Sequence, residues 1–338
     1  MEKITLIIPV YNGQEHVRRC LDSALDQSYE NYEIVLVNDG STDATREICQ
    51  DYAARWHRIR FIDRAENRGL VYTWQEGVAH ASGSYLAFLD SDDWVDSRYL
   101  ESLASGIPEG ADIVCCNYNR VYPDQMLLQT EGIAPGTYSR EQLLNEVFPV
   151  LLNDGTYFGR GISPHRCGKL FRRELIAENM HFCHRKISYG EDLNIFFAAI
   201  QDCGRLKILD DRTGLYYYRQ NQASIIHTYT KNMFSQIVLL RQKLLEIMEA
   251  KQCYDFSGQL SRDFWCQFVD YVKNETGSGD LSRSAGEVCR NFAQLQKEVP
   301  WDHLRLKPAD SVMMFCLRHH LYGMVSGWMK LYAALKKV

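Results

Sequence analysis

The chain opens with Ile4 to Ile8, an apolar, strand-forming run ended by Pro9. It then passes into Val17, Cys20, Leu21, Ala24 and Leu25, which recur at helical spacing. This strand-then-helix unit repeats. EIVLV (33–37) precedes a helix over about 44–55, RFI (60–62) one over about 70–81, and YLAFL (85–89) one over about 97–105, before DIVCC (112–116). These strands are apolar throughout instead of alternating, the pattern of strands buried on both faces. The predicted fold class is therefore α/β, with a mostly parallel central sheet and helices on both faces.

Between Met126 and Ala223 the pattern is less regular, and Gly155, Gly159, Gly161, Pro164 and Gly168 mark loops of the kind that build site walls. After Thr230 it becomes helical: Met233, Ile237, Leu240, Leu244 and Met248, then Phe256, Leu260, Phe264 and Phe268, trace amphipathic stripes. The expected division is a first domain over 1–229, split near 116 and 117, followed by a helical region over 230–338.

Composition narrows the class. With 338 residues, 46% of them hydrophobic and 24% charged, the chain has the material for a sizeable core. A net charge of −5 provides no bulk positive field, so nucleic acid is not an expected partner. Eleven cysteines, an odd number without a C-x-x-C pair, predict reduced structural thiols in a cytoplasmic setting and no zinc site. The N-terminus lacks the apolar run of a signal peptide, and no stretch of about 18 uninterrupted apolar residues is present to span a bilayer.

LAFLDSDDW (86–94) runs an apolar strand straight into Asp90, Asp92 and Asp93. Two carboxylates about 4 Å apart repel by on the order of 4 kcal/mol at a protein-like dielectric. Ligands of open parallel sheets bind beyond the carboxyl ends of the strands. Three polar signatures fall there: Pro9 to Asn12 after the first strand, Asn38 to Asp43 after the second, and Asp90 to Asp93 after the fourth. Helix capping accounts for Ser41, Thr42 and Asp43, and for one of the three later aspartates, but not for all of them. A hard divalent cation, Mn2+ or Mg2+, held by carboxylates and bound to a diphosphate explains the cluster better.

TLIIPVYNGQEHVRRCLDSALDQSYENYEIVLVNDGSTDAT, then ENRGL, then GSYLAFLDSDDW, resemble the N-terminal half of the family 2 glycosyltransferases, inverting enzymes with the GT-A nucleotide-sugar fold. A weaker resemblance continues through CGKLFRRELI, YGEDLNIFF and YYYRQNQASIIH. It implies a nucleotide-binding half over about 1–116 and an acceptor half over about 117–229. It also implies that Pro9, Tyr11, Asn12, Asp39 and Asn67 bind the nucleotide, with Asp90 near the ribose. Asp90 and Asp92 match the family's DXD motif; Asp92 is then the expected metal ligand, shared with Asp93 and His227. The ED motif maps onto Glu191 and Asp192, whose aspartate is the expected catalytic base. Where relatives carry an arginine and an asparagine on the helix after the third strand, this chain has Trp74 and Gln75.

The residues carry a consistent chemistry. An inverting transfer needs a carboxylate within reach of the acceptor hydroxyl, and Asp192 fits; the bland alternative is that Glu191 and Asp192 only load a helix N-terminus with favourable charge. Lys169 and Arg172 either bind phosphate or acceptor or form a solvated basic face, and Trp94 either stacks on a sugar or completes a core. The expected partners are a nucleoside-diphosphate sugar, UDP-linked foremost, and a glycan or lipid-linked acceptor in polysaccharide biosynthesis at the cell envelope. The C-terminal LRHHLYGMVSGWMKLYAALKKV either docks on its own domain or touches the inner face of the cell membrane peripherally. Two alternatives stand beside the transferase: a non-catalytic glycan- or partner-binding relative, and a D-x-D phosphotransferase.

Overall fold

The computed structural model describes residues 1–220 and 229–335. It divides into two compact units, Met1–Glu146 with Ser163–Asn221, and Val147–Ile162 with Gln222–Val338.

In the first unit, β1 (Ile4–Val10), α1 (Val17–Leu25), β2 (Tyr32–Asn38), α2 (Thr45–Arg55), β3 (Ile59–Asp63), α3 (Leu70–His80) and β4 (Tyr85–Phe88) follow the predicted alternation. Then come β5 (Trp94–Val95), α4 (Tyr99–Ala104), β6 (Ile113–Cys115), β7 (Tyr118–Val121), β8 (Met126–Gln129), β9 (Gly136–Ser139) and a helical turn, α5 (Arg140–Gln142). After the segment assigned to the second unit, β10 (Lys169–Arg172), α6 (Arg173–Asn179), α7 (Glu191–Asp202), β11 (Arg205–Ile208) and β12 (Tyr216–Arg219) complete it.

The main sheet has the order β3-β2-β1-β4-β10-β6-β11-β9. Within it β1, β2, β3, β4, β6 and β11 run one way, and β10 and β9 run against them. A smaller sheet, β5-β12-β7-β8, stands apart from it.

Every residue of β1 is buried. Ile4, Leu6, Ile8 and Val10 join the cluster that contains Val17, Cys20, Leu21 and Ala24 of α1 and Ile48 and Cys49 of α2. Ile7 points the other way, toward α3, and a Cβ on Gly77 would lie 2.5 Å from its Cγ2, so only glycine admits this approach. Contrary to the expectation that Pro9 ends the strand, β1 continues through it to Val10, in register with Asn38. The β1–β4 ladder has already closed at Ile7 and Phe88, so the missing N–H of Pro9 faces no partner strand.

The second unit is built on α8 (Met233–Lys251), α9 (Ser257–Glu275), α10 (Leu281–Leu295), α11 (Pro308–Arg318) and α12 (Tyr322–Leu335). Its aromatic core joins Phe264, Trp265 and Phe268 of α9 to Phe292 and Trp301. Val147–Ile162 belongs to this unit, and α9 binds it. Gln259 Oε1 accepts the N–H groups of Leu152 (2.8 Å) and Asn153 (3.2 Å), Arg160 pairs with Asp263, and the Tyr157 hydroxyl donates to Asp270. Among the described residues no helix is long and apolar enough to cross a membrane.

Candidate active site

Because β2, β1 and β4 are parallel neighbours, the loops after them meet at one sheet edge. Helix α1 touches the loop after β4, where the Cys20 thiol reaches the Asp90 carbonyl at 3.5 Å. Pro9 is buried, and Tyr11 is 49% exposed. Asn12 adopts a left-handed φ of 47°; its N–H donates to Ser41 Oγ (3.0 Å) and its Oδ1 accepts from the Thr42 N–H (2.8 Å).

Asp39 is buried, and both its oxygens are engaged. Oδ1 accepts the Arg68 N–H at 3.0 Å and Oδ2 the Gly69 N–H at 2.8 Å, while Arg64 Nη1 lies 3.2 Å from Oδ1. The carboxylate thus fixes the loop that carries the exposed Asn67. Gly40, at φ +68°, lets that loop close in: a Cβ there would sit 2.5 Å from the Glu66 carbonyl carbon.

The three later aspartates have three environments. Asp90 pairs with Arg166 Nη2 and accepts the Cys167 thiol at 3.4 Å. Asp93 is buried; it accepts the Tyr216 hydroxyl (2.6 Å) and the Arg219 N–H (2.8 Å), both from β12. Burial, and then the charges of Asp92 and Asp90, push its carboxyl well above the ordinary range. Asp92 is open to solvent at the rim, yet desolvation of its carboxyl followed by the charge of Asp90 raises it too. Ligand atoms of Asp90, Asp93 and Cys167 lie within 4.8 Å of one another, and Asp92 stands outside that group. Burial keeps the Cys167 thiol protonated, so its sulfur is a poor partner for a hard cation. The carboxylates with oxygen to offer are Asp92 and the 28%-exposed Asp90. Burial first, and the neighbouring aspartate charges second, hold the Asp92 and Asp93 carboxyls above their usual range, and clustered carboxylate oxygens are the donor set that suits Mg2+ or Mn2+.

Asp192 stands in the first turn of α7, whose N-cap Gly190 takes a left-handed φ of 76°. Its Oδ1 receives Arg166 Nη1 at 2.7 Å, and His165 Nδ1 lies 3.5 Å from Oδ2. Burial acts to raise this carboxyl, but the Arg166 guanidinium and the His165 contact outweigh it and hold it below the usual range. Glu191 moves upward, through burial and then the charge of Asp192. One guanidinium therefore brings Asp90 and Asp192 to the same place.

Two expected contacts are otherwise occupied. Lys169 lies inside β10, not in a loop, and its 2%-exposed side chain pairs with Glu131 at 2.9 Å, because a buried ammonium needs a carboxylate more than it needs a ligand. Trp94 stacks on Tyr217 (5.4 Å between centroids) and carries the Arg19 guanidinium over its ring at 3.2 Å. His227 lies outside the described residues.

Sequence reasoning missed Arg166, His165 and Tyr216. The available signal was the PHRCGK run (164–169), a basic pair beside a loop glycine. The departure at Trp74 and Gln75 now has a structural account. The Trp74 ring lies under Arg166, and Gln75 Oε1 accepts from Arg185 Nε (2.7 Å) while its amide donates to the Cys183 carbonyl (3.3 Å). Helix α3 is thereby tied to the segments that carry Arg166 and lead into Asp192.

A mostly parallel sheet with acidic loops at its carboxyl edge and a second carboxylate pair facing them is the GT-A architecture of the nucleotide-sugar transferases. Residues 5–178 match the model of glycosyl transferase family 2, and the chain belongs to that family. It is 34% identical over 260 residues to EpsH of Bacillus subtilis, provisionally named a glycosyltransferase, covering 76% of this chain and 72% of that protein. It is 33% identical over 238 residues to the glycosyltransferase GlyA of Streptococcus pneumoniae, covering 70% of this chain but only 33% of that longer protein. The fold is similar to that of Staphylococcus aureus TarS 1–349 in complex with UDP-GlcNAc, with a TM-score of 0.63 at 17% identity over 98% of this chain and 91% of that one.

Proposed function

We propose that the protein is a metal-dependent, inverting glycosyltransferase that moves a sugar from a nucleoside-diphosphate donor, a UDP-sugar foremost, to a hydroxyl of a glycan or lipid-linked acceptor in polysaccharide biosynthesis. The observation that carries this reading is the bridge from Asp90 through Arg166 to Asp192, which joins the donor-side edge to a half-buried, ionised carboxylate. Family membership and the likeness of the fold to a protein solved in complex with UDP-GlcNAc support it.

In this reading Tyr11, Asn12, Asp39 and Asn67 shape the nucleoside pocket, with Asp39 acting chiefly by holding the loop of Asn67. Asp90 faces the ribose. Asp92, with Asp90, would hold Mn2+ or Mg2+, and Asp93 supports the loop from behind. When bound, such an ion neutralises charge on the departing diphosphate. The Asp192 carboxylate takes the proton from the acceptor hydroxyl as its oxygen attacks the anomeric carbon. The bond from that carbon to the diphosphate breaks on the opposite face, and the nucleoside diphosphate leaves with the electron pair.

The protein is proposed to work in the cytoplasm, peripherally at the membrane. Phe315, Met324, Leu331 and Leu335 are all more than half exposed on α11 and α12, beside Arg318 and Lys330. An apolar face with basic neighbours suits an anionic lipid surface.

The test is a panel of nucleotide sugars assayed for hydrolysis with and without Mn2+. Turnover lost in Asp192→Asn is the expected result, and failure of the folded protein to bind any nucleoside diphosphate in the presence of metal would overturn the reading.

A further inference from the structure

Arg166 is only 4% exposed and comes from the loop before β10, away from the donor strands. Its guanidinium does three things at once. Nη2 pairs with Asp90, Nη1 donates to Asp192 at 2.7 Å, and the guanidinium carbon lies over the Trp74 ring, 3.9 Å from its centroid. Beneath it Trp74, Phe88, Phe171, Ile195 and Phe196 form an apolar floor. Nε has no hydrogen-bond partner among the described residues, so the side chain is held by its two terminal nitrogens and its face.

This arrangement is more specific than a stabilising ion pair requires. A planar fork can serve two carboxylates while stacking on an indole; a lysine ammonium offers neither the plane nor the fixed spread of donors. The apolar floor removes water from one side and strengthens both pairs. The Asp192 oxygens are thus set at a defined position relative to Asp90. A general base acts only within hydrogen-bond reach of its proton, and misplacement by about 1 Å costs about 100-fold in rate.

We propose that Arg166, seated on Trp74, is a positioning residue that fixes the Asp192 carboxylate in register with Asp90, so that the base is aligned to the donor before the acceptor arrives. This rests on the assignment of Asp192 as base.

The test compares Arg166→Ala, Arg166→Lys and Trp74→Leu with the wild type, using UDP-GlcNAc and other UDP-sugars with Mn2+. Three quantities are read: UDP affinity by calorimetry, the kcat and KM of donor hydrolysis, and restoration by methylguanidinium. Arg166→Ala is expected to lose about 100-fold in kcat, with donor KM and UDP affinity changing far less. Methylguanidinium, but not potassium chloride at equal concentration, restores part of that loss. Lysine recovers little, and Trp74→Leu gives a smaller loss of the same kind.

Should Arg166→Ala fail to fold, Arg166→Lys and Trp74→Leu carry the measurement. Folded variants that keep wild-type kcat, or whose losses appear in KM alone without guanidinium rescue, overturn the positioning role and leave the transferase assignment standing. A wild type that neither binds UDP nor turns over any donor overturns both.

Discussion

The carboxylate of Asp39 accepts the backbone N–H groups of both Arg68 and Gly69, at 3.0 and 2.8 Å, and so clips the loop after β3 to the end of β2. Removing it orphans two donors. Asp39→Ala is expected to cost about 1–3 kcal/mol in urea denaturation and to weaken UDP binding, because the loop bearing Asn67 is released. Unchanged stability together with lost UDP affinity would instead mark Asp39 as a direct ligand contact.

Asp93 is a buried acceptor for Tyr216 and Arg219 whose ionised form is disfavoured by burial and by Asp92 and Asp90. Its folded pKa lies above the unfolded one, so metal-free wild type loses stability as pH rises from the unfolded value toward the folded one. Asp93→Asn removes that dependence and should unfold within about 1 kcal/mol of wild type at neutral pH. Asp93→Ala, which strands the hydroxyl and the N–H, should lose about 1–3 kcal/mol. Denaturant melts across pH, without metal, distinguish the two.

Lys169 and Glu131 form a pair whose side chains are 2% and 5% exposed. Lys169→Met leaves the carboxylate buried alone and is expected to cost about 3–5 kcal/mol. The fraction that still folds should show an unaltered donor KM; a raised KM at unchanged stability would return Lys169 to the site.

Asp92 is the exposed member of the acidic loop, and its carboxyl is raised by desolvation and by Asp90. Calorimetric titration of UDP should show affinity that rises with Mn2+ in wild type and in Cys167→Ser, but is insensitive to Mn2+ in Asp92→Asn. Mn2+ dependence that survives in Asp92→Asn and vanishes in Cys167→Ser would reverse the assignment.

Asp192→Asn should lower kcat by about 100- to 10,000-fold, the range for losing a general base, with UDP affinity intact. Burial raises the wild-type carboxyl and Arg166 more than reverses this, so Asp192 stays ionised as pH falls through the ordinary carboxylate range. The acid limb of kcat/KM is therefore expected below that range, and loss of activity near an ordinary aspartate pKa would contradict the Arg166 pairing.

How legible the molecule was depended on distance along the chain. The main-sheet strands from Ile4 to Cys115 and the placement of Asp39 and Asp90 at one edge follow from local periodicity, because each strand lies close to its helix in sequence, whereas the short β5 gave no such signal. Asp192 was legible only through the ED motif, since nothing local says that Arg166 would join it to Asp90. Lys169 was misleading for a related reason: Glu131, which buries its charge, lies 38 residues away. Trp74 looked like a lost arginine, and its use as a platform needed the position of a residue 92 places further on, from the difference between 166 and 74.

The pairing of β5 with β12, Trp94 with Tyr217 and Val95 with Tyr216, has a consequence for biogenesis. On the ribosome, the acidic turn emerges well before the strand that braces it, and Asp93 waits for Tyr216 and Arg219, more than a hundred residues downstream. Such late, long-range closure is slow. A nascent chain halted ahead of Tyr216 would carry its charged loop unbraced, a natural client for a chaperone and an easy target for a protease.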